Sequence, residues 1–262
     1  EASAGPSYWV EAWEHVSGSG QARLVLHAMD GWGLLGQWRS RRQYRWAAGE
    51  SSVLTLLRTV FARAGLEIVA PSPSTTLTGY SPAFTIHPGE SGAEAPQRLL
   101  SLVPDVLYFK GHQAYLKLPS TGDPTDYAYG SVHPLLAGRY RSGDWPANRT
   151  QVYGATALAE YFSWDSIDQV QDRLRQVHDL NLTTLAQVQD RAQTEGQRAE
   201  RAALAGEIAA PVNCGQELYD VVEITDAGAG LSAARRRIFG LGLEYSAAGR
   251  PTYRQHMALG GV

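Results

Sequence analysis

The sequence predicts an α+β fold that is mainly β. Short runs of alternating apolar and polar residues recur along the chain, and turns containing glycine, proline or serine separate them. The 27 glycines and 13 prolines are spread over the 262 residues, which favours many turns over disorder. Helical periodicity interrupts these runs and is most extended between residues 167 and 204.

The N-terminal region begins with a predicted β-hairpin. Residues 8–16 and 21–30 are alternating or aromatic-rich runs, and the Ser-Gly-Ser-Gly sequence between them is a hairpin signal. A further strand is predicted over residues 37–46. Many of the tryptophans lie in this strand-rich region, where packing is their default role.

An amphipathic helix is predicted next, in the sequence ESSVLTLLRTVFARAGL. Its apolar residues recur at helical spacing and therefore share one face. Ser51 or Ser52 can cap the start of the helix, and Gly65 is expected to end it in a left-handed backbone conformation.

Short strands then alternate with a second helix. Strands are predicted at residues 66–70 and 83–87, and the helix begins at a capping box in which Ser91 and Glu94 lie three residues apart. Residues 106–118 predict a hairpin about a Lys-Gly-His turn.

A stretch rich in Tyr, Trp, Arg, His and Asp extends over residues 125–154. These residue types also line sugar and nucleotide sites, but here they flank strands predicted near residues 127–140 and 148–154. We interpret the stretch as a strand, a linker and a strand with a structural role.

Residues 167–204 contain little glycine or proline and predict one long helix. Thr184 and Gln187 form a second capping box, the apolar face is made mostly of small residues, and Gly206 can end the helix. The segments EIAAPVN, LYDVVEITD, RRRIFGLGLEYS and TYRQHMALGG that follow are strand candidates at the short spacing of a β-barrel or sandwich.

Composition excludes several classes of function. The net charge of −3 gives the whole chain no basic footprint for stable binding of nucleic acid. No apolar run approaches the roughly 18 residues of a membrane span, so stable membrane insertion is not expected. The single cysteine, Cys214, cannot form an internal disulfide and is predicted to be a small buried residue.

The chemistry-bearing residues do not form a recognisable active site. The candidate carboxylates all lie near predicted caps, turns or strand ends: Glu90, Glu94, Asp105, Asp123, Asp126 and Asp144. None of the seven histidines has the spacing of a metal site, and no nucleotide-binding glycine motif is present. The sequence therefore predicts no catalytic, cofactor-binding or metal-binding residues.

The order of the segments carries more information than any single motif. The series LVLHAMDGWGLL, ARAGLEI, IHPGESGAEAPQRLLSLVPDVLYFKGHQAYLKLP, YAYGSVHPLLAGRYRSGDWPANRTQVYG, DLNLTTLAQVQDRA, APVNCGQELYDVVEITD and YRQHMALGGV covers nearly the whole chain. It resembles the tail hub and baseplate hub proteins of long-tailed bacteriophages and of related contractile injection or gene-transfer particles.

The resemblance implies tandem tail-tube-like β-barrel domains with interleaved α/β segments. Residues 1–65 would form part of the first tube-like domain with its helix, and residues 66–125 a small α/β segment. Residues 126–262 would form the second tube-like domain, with a helical insertion at about 167–204. Such proteins have an earlier N-terminal strand set that is largely absent here, so we expect the chain to lack N-terminal sequence.

The resemblance also implies a structural role in the virion, at the tail tip or baseplate. Three copies would form a ring that joins the tail tube to the tip, spike or fibres and leaves a channel for the tape-measure protein and DNA. The expected partners are further copies of the chain, the tail tube or distal tail protein, the spike or fibre protein and the tape-measure protein, with DNA passing transiently.

Five residues are candidates for the subunit interface or for packing: Tyr140, Trp145, Arg149, Arg235 and Arg237. In the sequence ARRRIFG the arginines should alternate along a strand, with Arg236 on the face opposite the other two. They are expected to form ion pairs within or between subunits.

Two other functions stay open at this point. One is a tail-associated cell-wall or polysaccharide hydrolase, which the aromatic and acidic loops favour and the missing catalytic spacing disfavours. The other is a carbohydrate-binding β module, into which a long helical region fits poorly. A mass measurement in solution separates a ring from both.

Overall fold

The computed structural model describes residues 7–18, 20–141, 147–247 and 251–262. The chain divides into two units, Glu1–Leu118 and Pro119–Val262. Strands predominate over helices in the described residues, which confirms the predicted α+β, mainly β class. The boundaries predicted at residues 65 and 125 stay a prediction.

The first unit contains small sheets and short helices. Its strands are β1 (Trp9–Gly18), β2 (Gln21–Met29), β3 (Tyr44–Trp46), β4 (Glu67–Ser72), β5 (Phe84–Ile86), β6 (Val106–Lys110) and β7 (Gln113–Lys117). Its helices are α1 (Gly31–Gln37), α2 (Val53–Arg63), α3 (Thr75–Gly79) and α4 (Glu94–Leu100). Strands β1 and β2 form the predicted hairpin, β3 pairs with β5, and β7 lies between β4 and β6.

Helix α2 contributes much of the core of the first unit. Its apolar face is buried, as the periodicity predicts, and includes Val53, Leu57 and Phe61. The hydroxyl of Ser52 accepts a hydrogen bond from the Thr55 N–H at 3.3 Å, which confirms the predicted cap. Gly65 follows the helix with φ +75°, which confirms the left-handed ending.

Replacing Gly65 with alanine is expected to lower the free energy of unfolding by about 1 kcal/mol. The space around the new methyl group is open, so the cost comes from the positive φ alone. Thermal unfolding measures the effect, and Gly36→Ala is the control, since Gly36 lies inside α1 with open space at its Cβ. An equal or smaller effect of Gly65→Ala would contradict the prediction.

Two elements of the first unit differ from expectation. The strand predicted over residues 37–46 is restricted to β3, because residues 31–37 form helix α1. The Asp30 carboxylate caps this helix by accepting hydrogen bonds from the N–H groups of Trp32 and Gly33. The helix is short and rich in glycine, so the periodicity did not predict it.

The second unit contains two sheets and two helices in its described residues. Its strands are β8 (Tyr127–Tyr129), β9 (Ala137–Tyr140), β10 (Arg149–Tyr153), β11 (Leu158–Phe162), β12 (Leu174–His178), β13 (Gly206–Pro211), β14 (Val221–Asp226), β15 (Leu231–Ser246) and β16 (Thr252–Gly260). Its helices are α5 (Trp164–Val170) and α6 (Leu185–Ala203).

A six-stranded sheet in the order β8-β14-β15-β16-β13-β9 curls into a half-barrel. Its buried side chains form one apolar cluster, which includes Ile208, Ile224, Ile238 and Met257. The strand candidates predicted after residue 206 supply most of this sheet. Strand β15 is 16 residues long and extends beyond its partner β14.

The predicted helix over residues 167–204 was wrong in its extent. A first helix, α5, ends at Val170, strand β12 follows, and only α6 is a long helix. Strand β12 pairs in parallel with β10, a long-range contact that overrides the local helical pattern. The Thr184 and Gln187 capping box is confirmed, whereas Gly206 begins β13 and does not end the helix.

Helix α6 packs on the sheet β11-β10-β12 through small residues. Gly196 lies against the ring of Tyr161, and a Cβ on Gly196 would lie 2.0 Å from that ring. The small apolar face predicted from the sequence therefore lets the helix approach the sheet closely. The predicted burial of Cys214 was wrong, because the thiol lies in an exposed turn after β13.

Candidate assembly interface

The structure assigns different surroundings to the predicted interface residues. Arg235, Arg237 and Tyr140 belong to the six-stranded sheet, and Arg149 begins β10 of the smaller sheet. Trp145 lies outside the described residues. Whether any of them contacts another subunit stays a prediction, but the four described residues have defined contacts within the chain.

Arg237 is held by its own chain. Its side chain is 0% exposed, and Nη1 donates to Asp123 Oδ2 at 2.8 Å and to the Tyr219 carbonyl at 2.9 Å. Nη2 donates to the Ser120 carbonyl at 2.7 Å. The guanidinium thus fastens the segment around residues 120–123 to β15, and it is not available to a partner or to an open lumen.

The alternation predicted for the three arginines is confirmed. Arg235 donates to the carbonyls of Thr121 and Asp123 and so lies on the same face of β15 as Arg237. Arg236 pairs across the sheet with Val222, whose side chain belongs to the apolar cluster on the opposite face. The chain therefore has no continuous row of free arginines along this strand.

Arg149 is the centre of an ion-pair network at the start of β10. Its guanidinium lies 3.0 Å from Glu160 and 3.0 Å from Asp172, and it also covers the ring of Phe162. Hydrogen bonds from Gln151 and then Arg149 lower the pKa of Glu160. Hydrogen bonds to Asp172 and Glu160 raise the pKa of Arg149, so both charges persist at neutral pH.

Tyr140 ends the edge strand β9. Its hydroxyl donates to Asp226 Oδ2 at 3.0 Å. Burial and this hydrogen bond raise the pKa of Tyr140 to about 12, so the phenol stays neutral and remains a donor. The contact fixes β9 against the turn after β14, which is a packing role within the unit.

A surface that was not predicted as a site is the hairpin β1-β2. One face carries Trp13, Leu24 and Leu26, which are all more than half exposed, and Trp13 pairs directly with Leu26 across the strands. The opposite face carries Glu14 and His27, whose side chains lie 4.0 Å apart on a diagonal across the hairpin, together with Val16 and Val25. In the part of the chain that the structure describes, neither strand pairs with any other strand.

This hairpin is incomplete as an isolated structure. A two-stranded hairpin is marginally stable in water, and three or more strands or a covering layer are usually needed. A long edge with an exposed apolar face also favours pairing with another chain. The sequence predicts the two strands, but only the structure shows that nothing within the described residues covers the side with Trp13, Leu24 and Leu26.

A second open edge lies on β15. The strand pairs with β14 as far as Arg237, and its residues beyond Ile238 pair only with β16 among the described residues. This extension exposes Leu243, Tyr245 and Tyr253 on one face. The second unit therefore also presents an unpaired strand edge beside apolar side chains, which are the features of a site for strand addition.

The described candidate carboxylates have structural roles. Glu90 pairs with Arg98 at 2.6 Å, and Glu94 and Ser91 exchange the two hydrogen bonds of the predicted capping box. The other three described carboxylates accept hydrogen bonds that fix loops or strand starts: Asp105, Asp123 and Asp126. Asp144 lies outside the described residues.

The structure offers no grouping of metal ligands within residues 7–18, 20–141, 147–247 and 251–262. No three side chains of the His, Cys, Asp or Glu type converge there in a way that could hold an ion. None of the described helices is both long and apolar enough to cross a membrane.

Comparisons with known proteins find similar folds only among solved structures. No family model matches the sequence, and no curated protein matches it. Among solved structures, the tail protein from Neisseria meningitidis MC58 is 14% identical with a TM-score of 0.76, over 97% of this chain and 79% of that chain. The 43 kDa tail protein of prophage MuSo2 from Shewanella oneidensis is 14% identical with a TM-score of 0.69, over 95% and 76%.

A third similar structure comes from a secretion system. The Escherichia coli c3393 protein, described as a component of the type VI secretion system with structural similarity to T4 bacteriophage tail proteins, is 13% identical. Its TM-score is 0.59, over 95% of this chain and 58% of that chain. The chain thus has the fold of phage tail proteins, which confirms the tail-tube-like fold predicted from the order of its segments.

Proposed function

We propose that the chain is a structural tail hub protein of a virion, located at the tail tip or baseplate. Three copies form a ring that joins the tail tube or distal tail protein to the spike or fibres. The ring leaves a channel for the tape-measure protein and for passing DNA. The similar solved structures, which are tail proteins and a secretion-system component, support this assignment.

The observation that carries the proposal is the hairpin β1-β2. Its apolar face, with Trp13, Leu24 and Leu26, is exposed in the single chain and requires cover. The open edge of β15 in the second unit supplies a place where a strand of another copy can pair. A closed ring uses such edges without leading to open-ended association.

The proposed channel surface is polar and not strongly basic. Each contact between a phosphate and Lys or Arg adds salt-dependent affinity and would slow the passage of DNA. Arg237 is buried, and Arg235 donates to backbone carbonyls, so these two residues do not add a free basic row. Solving the assembled particle tests this arrangement, and three free arginines projecting into an open lumen would contradict it.

The purified chain is expected to form a trimer that depends on protein concentration. Mass photometry or native mass spectrometry measures the number of chains, and negative-stain microscopy shows whether they form a ring. A monomer over the whole accessible range of concentration would contradict the proposal. A monomer that also binds sugars would favour the carbohydrate-binding alternative.

We also propose that the chain has no hydrolase activity, because its described carboxylates already hold loops, caps and strand ends. Incubation with peptidoglycan and common polysaccharides is expected to release no product. Product release that Glu90→Gln or Asp144→Asn abolishes would assign the chain to the hydrolase alternative, and heat-denatured protein is the control.

A further inference from the structure

The first unit carries an unusual concentration of positive charge. Residues 39–63 contain six arginines and a single acidic residue, Glu50, although the whole chain has a net charge of −3. All six arginines are exposed. Five of them have no carboxylate partner in the part of the chain that the structure describes: Arg41, Arg42, Arg45, Arg58 and Arg63.

Two of these arginines are held in place by one aromatic ring. The guanidinium carbon of Arg63 lies 4.3 Å from the centre of the Tyr44 ring, and that of Arg42 lies 5.1 Å from it. Tyr44 in turn stacks on Trp46 at 6.2 Å. We call Arg42 and Arg63, the two arginines on the Tyr44 ring, the arginine patch.

The ring contacts determine what the arginine patch can bind. Because the Tyr44 ring already contacts two guanidinium groups and Trp46, it is poorly placed to stack on a nucleic-acid base. The guanidinium N–H groups remain available for a carboxylate, and stacking lowers the entropy that they lose on binding. The patch therefore fits a protein surface with carboxylates better than single-stranded nucleic acid.

The second unit has the complementary charge. Residues 1–118 have a net charge of +1, and residues 119–262 have a net charge of −4. On α5, Asp165 and Asp168 are exposed and have no ion pair among the described residues, and Trp164 beside them is 64% exposed. We call Trp164, Asp165 and Asp168 the α5 face.

We propose that the arginine patch of one copy binds the α5 face of a second copy of this chain. The inference rests on the proposed ring, in which the first unit of one copy meets the second unit of the next. Arginine and aspartate would form the ion pairs, and Trp164 would supply the apolar contact. Charge complementarity of this kind fixes which units meet and excludes contacts between two first units or two second units.

Charge reversal tests the contact. Arg42→Glu with Arg63→Glu is expected to weaken assembly about tenfold or more, and Asp165→Arg with Asp168→Arg is expected to do the same. The variant with all four changes restores the opposite signs and is expected to recover most of the lost affinity. Sedimentation analysis measures the dissociation constants, and Arg63→Glu is compared with Arg141→Glu, an exposed arginine of the second unit.

Stability is measured in parallel, since Arg63 lies in the last turn of α2, where a glutamate is unfavourable. The neutral variant Arg42→Gln with Arg63→Gln avoids that cost and is expected to weaken assembly in the same direction. Assembly of the unaltered chain is also expected to weaken as salt rises, and the double arginine variants are expected to lose part of this dependence.

Three outcomes would overturn the contact. Normal assembly of the arginine variants would exclude the arginine patch from the interface. A fourfold variant as defective as the double variants would exclude the α5 face as its partner. Binding of a short DNA duplex or polyphosphate that the arginine changes abolish, with assembly unchanged, would assign the patch to a polyanion. A chain that never assembles contradicts the ring itself, so the two failures are distinguishable.

Discussion

Replacing Arg237 with alanine is expected to lower the free energy of unfolding of the second unit by about 3 kcal/mol or more. The change removes the partner of Asp123 and the donor to the carbonyls of Ser120 and Tyr219. It also leaves a cavity under the segment around residues 120–123, because the side chain is fully buried. Urea unfolding followed by near-ultraviolet circular dichroism measures the loss.

Two further variants separate the loss of the ion pair from the loss of the hydrogen bonds to carbonyls. Asp123→Asn keeps the shape but leaves the buried guanidinium charge without its counterion, so a loss of similar size is expected. Arg235→Ala is the matched control, because Arg235 lies on the same face of β15 but is exposed and donates only to carbonyls. A loss of about 1 kcal/mol or less is expected for the control. Equal losses at Arg235 and Arg237 would show that the ion pair is not the cause.

The burial of Arg237 illustrates what the sequence could not predict. The alternation of the three arginines follows from strand geometry and was predicted correctly. Which face of β15 is covered depends on residues 120–123, which lie more than 100 positions earlier in the chain. A long-range contact of this kind leaves no periodic signal, so an arginine expected near a surface is instead part of the interior.

The distinction between local and long-range contacts also separates the elements that were predicted correctly from those that were not. The caps of α2, α4 and α6 depend on residues three positions apart and were predicted from the sequence. Strand β12 depends on parallel pairing with β10, so its local pattern was mistaken for helix. Helix α1 is short and contains three glycines, which gives it little intrinsic helical signal.

The interface was only partly accessible from the sequence. The hairpin β1-β2 was predicted with nearly correct bounds, but its two tryptophans, Trp9 and Trp13, were assigned to packing within the chain. That assignment assumed a covering layer, which the described residues do not supply. The arginine patch was missed because the net charge of the whole chain conceals the opposite charges of its two units.

The hairpin gives the prediction with the largest expected effect on assembly. Trp13→Asp with Leu26→Asp changes a directly paired couple on the apolar face. These side chains are 68% and 58% exposed in the single chain, so the changes are expected to leave the monomer folded. If assembly buries both, the loss is about 4 kcal/mol, or roughly a thousandfold in the dissociation constant.

The control uses the opposite face of the same hairpin. Glu14→Gln with His27→Gln changes two diagonal neighbours on that face, whose side chains lie 4.0 Å apart and are both 58% exposed. Because Glu14 and His27 are proposed to remain in water, the control is expected to assemble like the unaltered chain. Mass photometry over a dilution series measures both variants, and circular dichroism verifies that they fold. Equal defects on the two faces, or normal assembly of the apolar-face variant, would contradict the role of the hairpin, because only its apolar side needs cover from a neighbouring copy.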